Sequence, residues 1–295
     1  MRPLAILAAM AAALSAAEIK IDHVTVCGTD VKKLQAGLSA VGIPSVYGGP
    51  HTNGTTEMAL TSFTDGSYLE LMGLQANADP KVLGEHPWGK FLKGDSGPCA
   101  WAVREKDLAA EVKRLQATGI TVGAPERSGR ARPDGVRLEW ETSSVGADPR
   151  GTFFPFLIHD FTPREQRAFP QKKPTTRDFT GITKVVIAVR NLDEAIKRYR
   201  QAYGEPAPIK QVDQSFGAQL ALMGRVPVVL AQPLTADSWL TGRLDRFGEA
   251  PCAFVLGASQ PGRFHAASTT RWFGVDLSWF DPEKVGWRLG FEPVL

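Results

Sequence analysis

Apolar and polar residues alternate along Ile19-Lys-Ile-Asp-His-Val-Thr-Val26 at the period of two that a pleated strand imposes. His23 interrupts that pattern on the face it shares with Ile19 and Ile21, the side predicted to look inward. An imidazole there is a candidate ligand or general base, or else a hydrogen-bonded core residue. Asp30 then reads as the N-cap of a helix whose apolar positions Leu34, Leu38 and Val41 recur at helical spacing up to Gly42. A strand at Pro44 to Tyr47, a turn-rich loop Gly48 to Gly54, a strand at Glu57 to Phe63, the tight turn Asp65-Gly66 and a strand at Ser67 to Met72 complete a βαβββ order. Glu70 sits mid-strand on the face of Tyr68 and Met72, and a carboxylate in an apolar run is disfavoured unless that face is wet, paired or metal-bound.

The same order recurs. Gly97 to Val103 reads as a strand, Leu108 to Thr118 as an amphipathic helix, Ile120 to Val122 as a short strand, Arg137 to Glu141 as an alternating strand and Thr152 to His159 as the last strand. His159 is predicted to occupy in this unit the place of Glu70 in the first. Thr162 to Asp178 is polar without an apolar period and reads as a linker. Gly181 to Val189 then echoes the opening strand, and Pro251-Cys-Ala-Phe-Val-Leu256 repeats Pro98-Cys-Ala-Trp-Ala-Val103. The prediction is an α+β chain of four βαβββ units in two pairs: residues 18–161 first, then a degenerate pair at 179–295 with no clear final strand after Trp272.

Residues 1–17 have the make-up of a signal peptide: Arg2, an apolar core from Leu4 to Leu14 and the small residues Ser15-Ala16-Ala17. That core is shorter than the roughly 20 residues a bilayer requires. A periplasmic or secreted protein without a membrane span in the mature chain is expected. The net charge of +3 is spread along the chain, which argues against a nucleic-acid partner. Cys27, Cys99 and Cys252 allow at most one disulfide.

Paired βαβββ units, a strand opening Ile-Asp-His-Val and a later Tyr-Leu-Glu-Leu resemble the vicinal oxygen chelate superfamily, and within it the glyoxalase-like domain group. The shared elements are Gly48-Gly49 with His51, Gly54-Thr55, Asp65-Gly66-x-Tyr68-Leu69-Glu70-Leu71 and Arg132-Pro133-Asp134-Gly135. The resemblance implies half-barrel sheets with a divalent metal held by the first and last strands of each unit. Here His23, Glu70 and His159 fill three of those positions, and the fourth falls near Ala100 or Trp101, neither of which can coordinate. Two histidines and a carboxylate suit iron, manganese, zinc or nickel. Lys184 stands where a second His23 would be, and Leu230 or Gln232 where a second Glu70 would be, so the second pair is expected to be structural.

Two functions follow as expectations. One is a metal-dependent lyase, isomerase or dioxygenase acting on a small oxygenated substrate, with Glu70 or His51 as base. The alternative is a metal-free protein that sequesters a small molecule. His51 is a candidate substrate contact, whereas His86 and His265 have no visible partner in the sequence. A monomer or a homodimer is compatible with two pairs in one chain.

Overall fold

A computed structural model describes residues 19–294, so the expected leader at 1–17 lies outside the described residues. The first half runs β1 (Ile21–Cys27), α1 (Val31–Ser39), β2 (Val46–Pro50), β3 (Thr56–Ser62), β4 (Tyr68–Leu74), α2 (Pro80–Glu85), α3 (Gly89–Lys93), β5 (Gly97–Arg104), α4 (Leu108–Ala117), β6 (Glu126–Ala131), β7 (Arg137–Ser143) and β8 (Phe156–Asp160). A short helix α5 (Arg164–Ala168) leads to the second half: β9 (Phe179–Ala188), α6 (Leu192–Tyr203), β10 (Ile209–Asp213), β11 (Ala218–Leu222), β12 (Val228–Pro233), α7 (Trp239–Phe247), β13 (Ala250–Ala258), β14 (Ser268–Trp272), β15 (Val275–Trp279), α8 (Pro282–Val285) and β16 (Arg288–Pro293).

Each half is one eight-stranded sheet, ordered β2-β3-β4-β1-β5-β8-β7-β6 and β10-β11-β12-β9-β13-β16-β15-β14. Within each, the opening strands of the two units meet antiparallel, and each pairs in parallel with the last strand of its own unit. The chain is therefore two paired βαβββ modules. The fourth unit is regular after all: β14 ends at Trp272, where the pattern was expected to end, and β15 and β16 follow it. These three strands are only five or six residues long, too short for their alternation to stand out. β6 escaped the sequence reading for the opposite reason: most of its side chains are exposed, so it carries no apolar period. Val122 makes only an isolated bridge to Val145 instead of a strand.

The helix-bearing faces of both sheets form a single core. Val24, Leu69 and Trp101 from the first half belong to one buried cluster with Val185, Tyr199 and Phe254 from the second. Tyr199, fully buried, donates its hydroxyl to Phe153 O across the boundary at 2.6 Å. The segment predicted as a linker is also tied down, since Thr175 hydrogen-bonds Ser62 and α5 packs beneath the first sheet. The concave face of the second sheet is filled by its own side chains. Phe216, Trp272 and Trp279 pack there with ring centroids 5.0 to 5.4 Å apart. Lys184 is in an ion pair with Glu292, and Gln232 accepts from the Leu192 amide at the start of α6.

One shared core implies one unfolding transition. Tyr199→Ala is expected to cost about 3 to 5 kcal/mol, the range for truncating a buried aromatic, and to move both halves together. Chemical denaturation followed by tryptophan fluorescence and by far-UV circular dichroism checks this; two separated transitions would contradict it.

Candidate active site

The concave face of the first sheet encloses a cavity of about 140 Å3, lined by His23, His51, Glu70 and His86 among apolar and cationic neighbours. The local path of β1 sets its centre. Successive strand residues point to opposite faces, yet the ladder with β5 slips by one residue between Ile21 and His23. This β-bulge accommodates Asp22 as an extra residue. Ile21 consequently joins the helix-side core rather than sharing a face with His23, which corrects the sequence expectation. It also lets two adjacent side chains meet, with His23 Nδ1 lying 2.6 Å from Asp22 Oδ1.

Asp22 is fully buried. Burial raises its pKa, but the guanidiniums of Arg167 and Arg164 and the bond from His23 outweigh that and hold it well below the usual carboxylate range. An ionised carboxylate can only accept, so His23 donates from Nδ1 and its Nε2 faces the cavity. The ring is clamped by stacking on Tyr68 at 4.8 Å and by the edge of Phe156 at 5.3 Å.

Arg167 supplies the support below. Its five N–H donors, the full complement of a guanidinium, are all used: two go to Asp22 at 2.9 and 3.0 Å, two to Asp160 at 2.6 and 2.7 Å, and one to the Tyr68 hydroxyl at 2.5 Å. Arg164 adds a further ion pair to Asp22. Both arginines come from the stretch predicted as a linker. No local pattern marks them as site residues, because the buried carboxylate they share, Asp22, lies more than a hundred residues earlier in the chain.

Glu70 projects from β4 between Tyr68 and Met72, as its place in the strand predicted. Its Oε2 accepts from Thr25 Oγ1 at 3.1 Å and lies 3.7 Å from His23 Nε2, while Oε1 lies 3.6 Å from His51 Nε2. Burial raises its pKa, but the His51 contact, the two imidazoles and Thr25 together bring it down to about 2. Arg137, exposed on β7, is not a partner of Glu70: it pairs with Glu139.

His51 arrives by a second irregularity. β2 is bulged between Tyr47 and Gly49, and Gly49 has φ +101°, a left-handed conformation that glycine adopts without a Cβ penalty. The following turn is pinned by Asn53 Oδ1, which accepts from the amides of Thr55 and Thr56, and by Gln75, which donates to His51 O at 3.1 Å. His51 Nδ1 is paired with Thr56 Oγ1 at 2.8 Å, leaving Nε2 for the cavity. Both histidines thus have Nδ1 held by a neighbouring side chain and turn Nε2 toward one carboxylate.

His159 does not join them. Thr25 stands opposite Glu70 on one side and Ala100 on the other, while Ala102 stands opposite both His23 and Phe156. The second-unit counterparts of His23 and Glu70 are therefore Ala100 and Phe156, both apolar. His159 lies three residues beyond Phe156, outside the cavity lining, with Nδ1 donating to Glu105 O at 3.0 Å. The sequence reading placed it by the end of the apolar run, and β8 begins later than that run does.

His86 is the group the sequence reading set aside. It lines the cavity, where its Nδ1 accepts from the Trp88 amide at 3.1 Å. Burial, then the nearby charges of Arg150 and His51, lower its pKa to about 4, so it is neutral at physiological pH. The signal available was its adjacency to Trp88, whose ring forms part of the same wall.

The chemistry of the donor set suits a divalent ion: two imidazole nitrogens and one ionised carboxylate, with each ring fixed through its other nitrogen. The separations of 3.6 and 3.7 Å slightly exceed the roughly 3.4 Å expected between donors of a tetrahedral ion with ~2.1 Å bonds. Among the described residues, no group of three or more His, Cys, Asp or Glu side chains stands ready-made as a metal cage. A roomier groove beside α6, lined by Lys197, Arg200 and Glu205, holds no histidine.

Two eight-stranded half-barrels of paired βαβββ units define the vicinal oxygen chelate fold. The glyoxalase-like domain model matches residues 21–204, and the chain belongs to that family. A hypothetical protein from Staphylococcus aureus shares the two-module fold: the structures align with a TM-score of 0.64 over 94% of this chain and all of that one, at 15% identity. Methylmalonyl-CoA epimerase from Mycobacterium tuberculosis aligns over 41% of this chain and 91% of its own, at 20% identity and a TM-score of 0.36. No curated protein matches in sequence.

Because both Asp22 and Glu70 titrate below their ordinary values in the fold, their contribution to stability is full above the unfolded-state pKa and disappears as pH falls through the folded one. For Glu70 that window runs from 4.5 down to about 2. Urea titrations across this range should show wild-type stability falling steeply, and Glu70→Gln should flatten the slope. Asp22→Asn should cost about 3 to 5 kcal/mol at neutral pH, since it leaves buried arginines short of their partner.

Proposed function

We propose that this protein is a divalent-metal-dependent lyase or isomerase acting on a small oxygenated substrate, with His23, His51 and Glu70 as the metal-holding set. One observation carries the reading. Asp22 holds His23 through Nδ1, so that its Nε2 is directed at Glu70, and the same carboxylate lies 3.6 Å from His51 Nε2, bringing three donors to one space. His51 replaces His159 in the set expected from sequence.

A bound divalent ion supplies Lewis-acid polarisation of a carbonyl or enolate oxygen. The protein's own groups divide the remaining work. Glu70, between the two imidazoles, supplies the negative charge of the metal-holding set. His86, neutral and lining the cavity, accepts from the Trp88 amide at Nδ1 and so carries its proton on Nε2, which suits it to donate a hydrogen bond to a substrate oxygen. Trp88, Trp140 and Phe156 form apolar walls that keep water from the reacting atoms.

The looseness of the donor set favours a second reading, a metal-free protein that sequesters the same kind of ligand. Titration calorimetry with manganese, zinc and iron(II) separates the two. Binding by wild type, abolished in Glu70→Ala and weakened about 10- to 100-fold in Asp22→Asn, with His159→Ala unchanged, is the expected result. No binding of any of the three metals would leave the sequestering function.

We also propose that the protein is exported. Support comes from the Cys27–Cys99 disulfide, with Cα atoms 5.9 Å apart, since such bonds persist in oxidising compartments. Mass spectrometry of protein from its native host should find the mature chain beginning near Glu18; an intact Met1 would refute this.

A further inference from the structure

The arginines that line or underlie the first half-barrel differ in how their charge is met. Arg167 uses every donor on protein groups, and Arg132 pairs with Asp134 and two carbonyls. Arg130 and Arg150, both lining the cavity, have no carboxylate within ion-pair distance among the described residues. Arg130 is only 4% exposed, and its hydrogen bond is a single one, to Gly48 O at 2.7 Å. Arg150 rests on the rings of Trp88 and Phe156 at 5.5 and 5.4 Å, bonds Thr142 Oγ1 at 3.3 Å, and leaves its buried Nε unpartnered.

A guanidinium withdrawn from water without a carboxylate partner is costly, and here the buried Arg130 and the half-buried Arg150 face a cavity whose one carboxylate is Glu70. Burial draws both guanidiniums below their ordinary pKa, offset in part by Glu126 and Glu70 for Arg150 and by Tyr68 and Glu70 for Arg130. Counting Glu70 against Arg130 and Arg150 leaves one positive charge for a ligand to neutralise. Arg167 does not enter that count, because Asp22 and Asp160 already surround it. The planar fork of an arginine matches a carboxylate in two-point fashion, and Met58, Met72, Trp88, Trp140 and Phe156 add apolar wall beside the hydroxyl- and amide-bearing Thr56, Asn53 and Thr142.

We infer that Arg130 and Arg150 form a carboxylate-binding subsite, and that the substrate is a small 2-oxo or 2-hydroxy carboxylate whose second oxygen faces His23, His51 and Glu70. The choice of 2-oxygenated acids rests on the reactive role proposed for those three residues. The subsite itself rests on the two arginines alone. A cavity of about 140 Å3 limits the ligand to a few heavy atoms beyond the head group.

The test is titration calorimetry of the mature full chain, metal-stripped and then metal-loaded, with pyruvate, lactate, neutral pyruvamide and inorganic phosphate. Pyruvate or lactate is expected to bind even the stripped protein, with pyruvamide and phosphate at least about tenfold weaker. Arg150→Gln and Arg130→Gln are each expected to weaken carboxylate binding about 10- to 100-fold, the range for hydrogen bonds to charged groups, and Arg150→Lys to recover part of the loss. Near-UV circular dichroism confirms the fold of each variant, and the Arg150 pair decides the matter if Arg130→Gln does not fold. Equal binding of pyruvamide, tighter binding of phosphate, no carboxylate binding, or indifference to Arg150→Gln would overturn the subsite. Carboxylate binding that depends on Arg150 in a protein that takes up no metal would uphold the subsite while defeating the metal-dependent function.

Discussion

Everything at the centre of the first half-barrel hangs on the wholly buried carboxylate of Asp22. It fixes the tautomer and direction of His23, and it is itself kept ionised by Arg167 and Arg164. Arg167 in turn holds Asp160 at the end of β8 and the hydroxyl of Tyr68, the ring on which His23 stacks. Removing any member of such a set leaves the others as uncompensated buried charges, so the network stands or falls together. It also explains why α5 closes back under the sheet. The chain returns there to deliver two cations to a site made of residues near its start.

The regular part of this architecture was legible in the sequence. Period-two runs gave the strands that carry His23 and Glu70, helical spacing gave α1 and α4, and the recurrence at Gly181 gave the duplication. The family resemblance added His51. Irregular backbone was harder to read. The bulge at Asp22 reverses the face of Ile21 while leaving the run of residue types unchanged, and the end of an apolar run proved a poor guide to the register of β8, which misplaced His159. Arg130, Arg150 and Arg167 were invisible for another reason: their surroundings are assembled from segments far apart in the chain, and an arginine in a polar stretch looks like any solvated one.

The two halves show what duplication permits. The second sheet keeps the strand order but fills its concavity with Phe216, Trp272 and Trp279, gaining a dense aromatic core where the first keeps a polar cavity. Its helix-side face completes the core of the first half. A site with unpaired cations and a loosely packed interior sacrifices local stability, and the plugged module compensates through the shared core.

The disulfide between Cys27 and Cys99 has a topological consequence. It joins β1 to β5 at the seam where the first two βαβββ units meet. Exchange of one unit between two copies of the chain requires those strands to part and pair again with the partner's. With the seam covalently closed, each oxidised chain must complete its own first half-barrel, and whatever assembly it enters is built from whole modules set side by side.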